Sequence, residues 1–236
     1  MSPLHDRGQV REEYASDAGL AARASIYRWN DGPDARELAF RAVAEGLPTR
    51  FLEVGCGQGG LLQRVRDELR ATVTGLDQSE QMVDLTRARG IDAVVGDAEW
   101  LPFDDGAFDG AAAAWMLYHV PDVDRALGEL ARVLEPGARL VTVTNAVTHM
   151  GGLYELLGMT RPETTFSDEN GEALLRRHFT SVEARPAYGL VTFPTRADAQ
   201  AYVDATPTMR VTGRTIPPGD EPLRVRAAPI IFIATK

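Results

Sequence analysis

The chain has 236 residues, 44% of them hydrophobic and 25% charged, with a net charge of −9. This is the balance of one substantial globular domain. It disfavours a nucleic-acid backbone as partner, since that binding is driven by Lys and Arg releasing counterions. No run approaches the roughly 18 apolar residues of a membrane span, the opening "MSPLHDRGQVREEY" has no apolar signal core, and Cys56 is the single cysteine. The expected location is therefore the cytoplasm, with no intrachain disulfide and no cysteine metal site.

Residues 12–29, "EEYASDAGLAARASIYRW", read as an amphipathic helix whose Tyr14, Leu20, Ile26 and Trp29 are its apolar members. "RFLEVG" (50–55) is a buried strand ended by glycine. "GGLLQRVRDELR" (59–70) places Leu61, Leu62, Val65 and Leu69 on one helical face. "TVTGLD" (72–77) is a second strand, and "SEQMVDLTRARG" (79–90) a helix capped by Ser79 and stopped at Gly90. "IDAVVGDA" (91–98) and "FDGAAAAWMLYHV" (108–120) each contain a strand. "DVDRALGELARVL" (122–134) is a helix capped by Asp122 and halted by Pro136-Gly137, and "ARLVTVTNA" (138–146) is a fifth strand. Beyond it, 151–159 and 168–179 read as helices and 181–193 and 227–236 as strands. A short helix around 197–205 and a Pro/Gly-rich loop from Thr206 to Pro222 separate those two strands, which are expected to pair antiparallel. Alternating strands and helices imply a parallel α/β sheet with its ligand at the carboxyl ends of the strands.

Those ends carry the chemistry. In "EVGCGQGG" (53–60), Gly55, Gly57 and Gly60 fit G-x-G-x-x-G, while Glu53, Gly55, Gly57 and Gly59 fit the E-x-G-x-G-x-G of S-adenosylmethionine (SAM) enzymes. Glycines let the backbone approach a ligand closely, and the amides opening the next helix face it. Asp77, ending the second strand, is placed to accept both hydroxyls of a ribose, a feature dinucleotide and SAM sites share. "GDAEWLPF" (96–103) favours SAM: Asp97 can accept the adenine amino group, and Trp100 or Leu101 can cover the ring.

With "FLEVGCGQGG", "VTGLDQSEQMV", "VVGDAEWLPFDDGAFDG" and "WMLYHVPDVDRALGELARVLEPGARLVTV" in this order, residues 50–145 resemble class I SAM-dependent methyltransferases, in the subgroup of ubiquinone/menaquinone-type and small-molecule enzymes. The resemblance implies a Rossmann-like three-layer αβα sandwich: a seven-stranded, mostly parallel sheet with its last strand antiparallel, plus a small helical lid. It implies SAM as cofactor and S-adenosylhomocysteine as product. Glu53, Gly55, Gly57 and Gly59 then lie near the methionine part and sugar, Asp77 on the ribose, and Asp97 with Ala98 on the adenine; Cys56, Gln78, Glu99 and Trp115 complete the expected cofactor set. Residues 1–45 are expected to form an N-terminal helical cap. Residues 46–236 are expected to be the SAM-binding domain, with lid insertions at about 147–170 and 194–222.

Methyl transfer is an in-line displacement, so the protein must chiefly align nucleophile and methyl, a proximity effect of ~7–11 kcal/mol. A base adds ~10²–10⁴-fold where the nucleophile needs deprotonating. His119 and His149 are the candidate bases. Strand alternation would put Trp115 and His119 on one face and Tyr118 on the other. Tyr14 and Tyr27 are placed to close over the methyl, and Arg23 to pair with the SAM carboxylate. No metal site is expected. A small-molecule acceptor fits the acidic chain, which is expected to be a monomer or homodimer. Three other readings stay open: an RNA- or protein-modifying methyltransferase, a nicotinamide-dependent oxidoreductase, and a non-catalytic SAM-binding protein.

Overall fold

The computed structural model describes residues 23–236. Tyr14 and Leu20 lie outside the described residues. From residue 35 the chain runs α1 (Ala35–Ala44), β1 (Arg50–Val54), α2 (Gly60–Leu69), β2 (Thr72–Asp77), α3 (Glu80–Arg87), β3 (Asp92–Val95), β4 (Phe108–Ala114), α4 (Val123–Val133) and β5 (Leu134–Asn145). There follow α5 (Gly151–Leu156), α6 (Gly171–Leu175), β6 (Ser181–Pro186), β7 (Gly189–Phe193), α7 (Arg196–Ala205), α8 (Pro207–Arg210), β8 (Leu223–Ala227) and β9 (Pro229–Thr235).

Seven strands form one sheet in the order β3-β2-β1-β4-β5-β9-β6. β1 lies parallel to β2 and β4, and β9 runs antiparallel between β5 and β6. The expected mostly parallel sheet with an antiparallel last strand is thus present. Strand order reverses between β1 and β4, where an open α/β sheet opens its ligand crevice. Period-two alternation divides the core. Leu52, Val54, Ala111, Ala113, Ile230 and Phe232 face α4 and α6. Phe51, Ala112, Val141, Val143, Ile231 and Ile233 face α1 and α2. Helix α1 packs beside α2 on this face of the sheet.

The caps fall as predicted. Ser79 accepts from the Met82 amide at the start of α3, and Asp122 from the Arg125 amide at the start of α4. Three readings change. Helix α4 stops at Val133 and β5 starts at once, because Leu134 already pairs with Phe108 ahead of a register shift. The run 181–193 is two strands: β6 joins the main sheet, while β7 pairs only with β8. Ile26–Trp29, read as the end of a helix over 12–29, is a 3-10 turn, and Asn30 then bridges Val191. A third apolar cluster gathers Ile26, Leu153, Phe193, Tyr202, Met209 and Val225 from these late segments.

Candidate active site

A cavity of about 890 Å³ opens at the carboxyl edge of the sheet, within the roughly 300–1,000 Å³ of small-molecule sites. Its floor comes from the ends of β1, β2, β4 and β5, with the turn that follows β3. Met150, Tyr154, Tyr202 and Met209 of the third cluster also line it, together with Tyr27.

The glycine loop after β1 is pinned by its neighbours. The Gly55 and Cys56 amides donate to the Leu76 carbonyl at 2.7 and 3.1 Å. The Gly57 amide donates to Asp77 Oδ2 at 2.9 Å, and Thr86 Oγ1 donates to the Gly57 carbonyl at 2.8 Å. Gly55 has φ +70, and a Cβ there would lie 2.7 Å from the Met116 side chain, so no larger residue fits. Gly57 has φ +53, and a Cβ on it would meet nothing within 4 Å. The loop therefore presents bare backbone to open space.

Two carboxylates flank this loop. Asp77 Oδ1 accepts from the Ser79 amide at 2.9 Å while Oδ2 holds Gly57. Burial pushes its carboxyl above the usual range, against the pull of the Ser79, Gly57 and Gln78 amides. Those bonds leave lone pairs for a ligand. Glu53 is 5% exposed, and its Oε2 is buried with no hydrogen-bond partner. Burial raises its pKa to about 8, opposed by the Leu62 amide and reinforced by Asp77.

The structure brings together on the cavity wall Arg23, Glu53, Gly55, Cys56, Gly57, Asp77, Gln78, Asp97, Ala98, Trp115, His119 and His149. Gly59 and Glu99 stand outside it. Gly59 has φ +73 and packs on Thr86, making the turn into α2. Glu99 turns away, its Oε1 accepting from the Asp122 amide at 3.1 Å. Trp100 and Leu101 do not cover the cavity: Trp100 is 62% exposed under the Arg125 guanidinium, and Leu101 is packed in the core. Cys56 contributes backbone only. Its Sγ points toward Gly75 and Thr86, and burial drives its pKa far up. Asp97 Oδ1 accepts from the Glu99 amide at 3.0 Å, holding its turn.

Strand alternation does not govern Trp115 and His119. β4 ends at Ala114, Trp115 has φ +54, and Leu117–His119 is a 3-10 turn. Tyr118 and His119 consequently both face the cavity, their rings 4.5 Å apart. His149 is buried, with Nδ1 accepting from the Ala228 amide at 3.0 Å. Burial, then the charge of Arg161, lowers its pKa to about 3. With the Nδ1 lone pair engaged, the proton sits on Nε2, so His149 is a donor and not a base. Arg23 donates to the Ala205 carbonyl at 3.0 Å, at the end of α7.

Arg161, Tyr154 and Tyr202 line the cavity but carried no signal in the sequence. Burial raises the Tyr202 hydroxyl to about 12. The Tyr154 hydroxyl meets Thr208 Oγ1 at 3.1 Å.

SAM fits the floor of this cavity on the geometry alone. The buried, unpartnered Glu53 oxygen suits an ammonium, the bare backbone at Gly57 admits a close ligand, and Asp77 has acceptor capacity for a ribose.

Comparison with known proteins agrees. Residues 52–142 match the family described as "Methyltransferase domain". The chain is 37% identical over 115 residues to a demethylmenaquinone methyltransferase of Thermus thermophilus, covering 46% of this chain and 52% of that protein. It is 36% identical over 114 residues to the 24-methylenesterol C-methyltransferase 2 of Arabidopsis thaliana, covering 45% of this chain and 32% of that one. The match thus spans between a third and about half the length of these curated relatives. In fold, it resembles a SAM-dependent methyltransferase of Thermotoga maritima, described as a possible histamine N-methyltransferase. That likeness has a TM-score of 0.59 at 22% identity and covers 95% of this chain and 99% of the other.

Proposed function

We propose that the chain, whose residues 52–142 match a methyltransferase-domain family, is a class I SAM-dependent methyltransferase that moves a methyl group from SAM to an O, N or C nucleophile of a small organic molecule. When bound, SAM supplies a methyl already activated by the positive sulfonium. In this reading Glu53 accepts the ammonium, Asp77 and Gln78 take the ribose, and Asp97 with Ala98 borders the adenine. Arg23, tied to the Ala205 carbonyl, stands near the methionine carboxylate. The observation that carries the proposal is the joining of this acidic, glycine-lined floor to a tyrosine-lined upper half in one cavity. Residues 147–170 and 194–222, with residues 23–34, act as a lid that excludes water and holds the acceptor in line. His119, on the wall near the expected methyl, is the base where the nucleophile carries a proton.

Relatives that methylate quinones and sterols support a small acceptor. Arginines engaged with local partners support it too. Arg176 pairs with Glu172, Arg177 with Asp124, Arg224 with Asp31, and Arg214 bonds the Leu157 and Gly158 carbonyls. Calorimetric titration with SAM and S-adenosylhomocysteine, followed by labelled-methyl transfer to a panel of phenols, quinols and carboxylic acids, tests the reading. No heat at millimolar cofactor would end it. Binding without turnover across the panel would favour a non-catalytic SAM-binding protein.

A further inference from the structure

Arg161 enters the cavity from the loop after α5. Its Nη1 donates to the backbone carbonyls of Ala146, just past β5, and of His149. Both acceptors are neutral. Among the described residues no carboxylate stands within ion-pair distance, and Nε and Nη2 have no acceptor. A guanidinium carries five N–H donors in a planar fork, and the Nε–Nη2 edge is the one that grips a carboxylate with two bonds. The carbonyl anchors fix one side of the group and leave that edge uncommitted.

The cavity's acids lie elsewhere. Glu53, Asp77 and Asp97 belong to the floor. At the start of α1, Asp34 caps the Arg36 amide and Glu37 is held by Arg41 and Arg64. Beside Arg161 stands His149, whose Nδ1 is occupied by the Ala228 amide, so the imidazole offers Nε2–H as a donor. The positive charge of Arg161 reaches both His149 and Tyr202. Met150 and Phe166 are among the apolar residues that line the same cavity.

We propose that this end of the cavity binds a carboxylate of the methyl acceptor between the Arg161 guanidinium and the His149 Nε2–H, so that the substrate is a small apolar acid. The inference rests on reading the floor as the SAM site. It makes the cavity bipolar: acidic groups take the cationic cofactor, and a fixed cation takes an anionic acceptor.

The test is calorimetry on the full chain and on Arg161→Gln and Arg161→Lys, first with S-adenosylhomocysteine alone. Benzoate or its neutral isostere benzamide is then titrated in, with and without that cofactor product. Benzoate is expected to bind the wild-type chain about tenfold or more tighter than benzamide. Arg161→Gln should erase that preference with S-adenosylhomocysteine affinity unchanged, and Arg161→Lys should restore part of it. Equal binding of the two probes, no benzoate binding, or full benzoate affinity in Arg161→Gln would overturn the proposal. So would an equal loss of S-adenosylhomocysteine affinity in Arg161→Gln, which would put the guanidinium on the cofactor's own carboxylate. Failure of the wild-type chain to bind S-adenosylhomocysteine, with the benzoate preference intact, would overturn the cofactor reading and leave the anion site standing.

Discussion

Replacing Glu53 by Gln should make the ligand-free protein more stable and the cofactor complex weaker. Burial holds this carboxyl at a pKa of about 8 in the folded chain, against ~4.3 in an unfolded one. The folded state therefore binds the proton more tightly. Stability is greatest below the unfolded value and falls by about 1.4 kcal/mol per pH unit as pH rises from ~4.3 to ~8. At about pH 7 the accumulated cost has a ceiling of roughly 3–4 kcal/mol. Gln has the same shape and never titrates, so it escapes that cost. At ~2–4 °C per kcal/mol for a domain of this size, the melting temperature should rise by several degrees near neutrality and by almost nothing near pH 4.5. Binding should move the other way. A hydrogen bond to a charged group is worth ~1.5–3 kcal/mol, so SAM should bind Glu53→Gln about tenfold or more weakly. Wild-type affinity should also climb with pH toward about 8, as the carboxyl sheds its proton, while the variant stays flat. Differential scanning calorimetry across pH, paired with SAM titrations, reads both arms. A melting difference that ignores pH, or equal SAM affinity in the two proteins, would refute the reasoning.

Asp77→Asn keeps one acceptor and loses the charge, so S-adenosylhomocysteine binding should drop at least ~10-fold by calorimetry while the circular dichroism spectrum stays native. Gly57→Ala places a methyl in open space at φ +53; it should cost ~1–2 kcal/mol of stability in denaturant titration and weaken the cofactor further. Cys56, buried with its thiol pKa driven up, should react with a thiol reagent only as fast as the chain opens, so denaturant should accelerate labelling sharply. His149, at about 3, should contribute no limb to a pH–rate profile at saturating SAM between about pH 5 and 9, so His149→Gln should leave the shape of that profile unchanged.

What the sequence disclosed followed from local rules. Thr72–Asp77 is a β-rich run ended by an acid and is read to the residue, and Ser79 and Asp122 each cap the helix that follows. The floor of the site was legible for the same reason: each acid lies at or just past the end of an apolar run, and chain order fixes where those runs end. The turn after β4 was not, because the positive φ of Trp115 is imposed by its bond to the Val143 carbonyl on the neighbouring strand. Nor was the division of 181–193, since the β-rich pattern runs through Ala187-Tyr188 while the two halves pair with different partners. Arg161, Tyr154 and Tyr202 sit in short segments of weak periodicity. The packing of the third cluster draws the two tyrosines to one place, and Arg161 is held there by the Ala146 and His149 carbonyls.

The position of β9 bears on how the molecule is made. Residues 229–235 fill the gap between two strands synthesised well before them, and β6 has no other neighbour in the main sheet. During translation the hydrophobic edge of β5 must wait, exposed, for a segment still inside the ribosome. Such a long wait favours slow closure and aggregation-prone intermediates. Chaperone dependence in this protein should therefore track the availability of one late strand more than the quality of its parallel half.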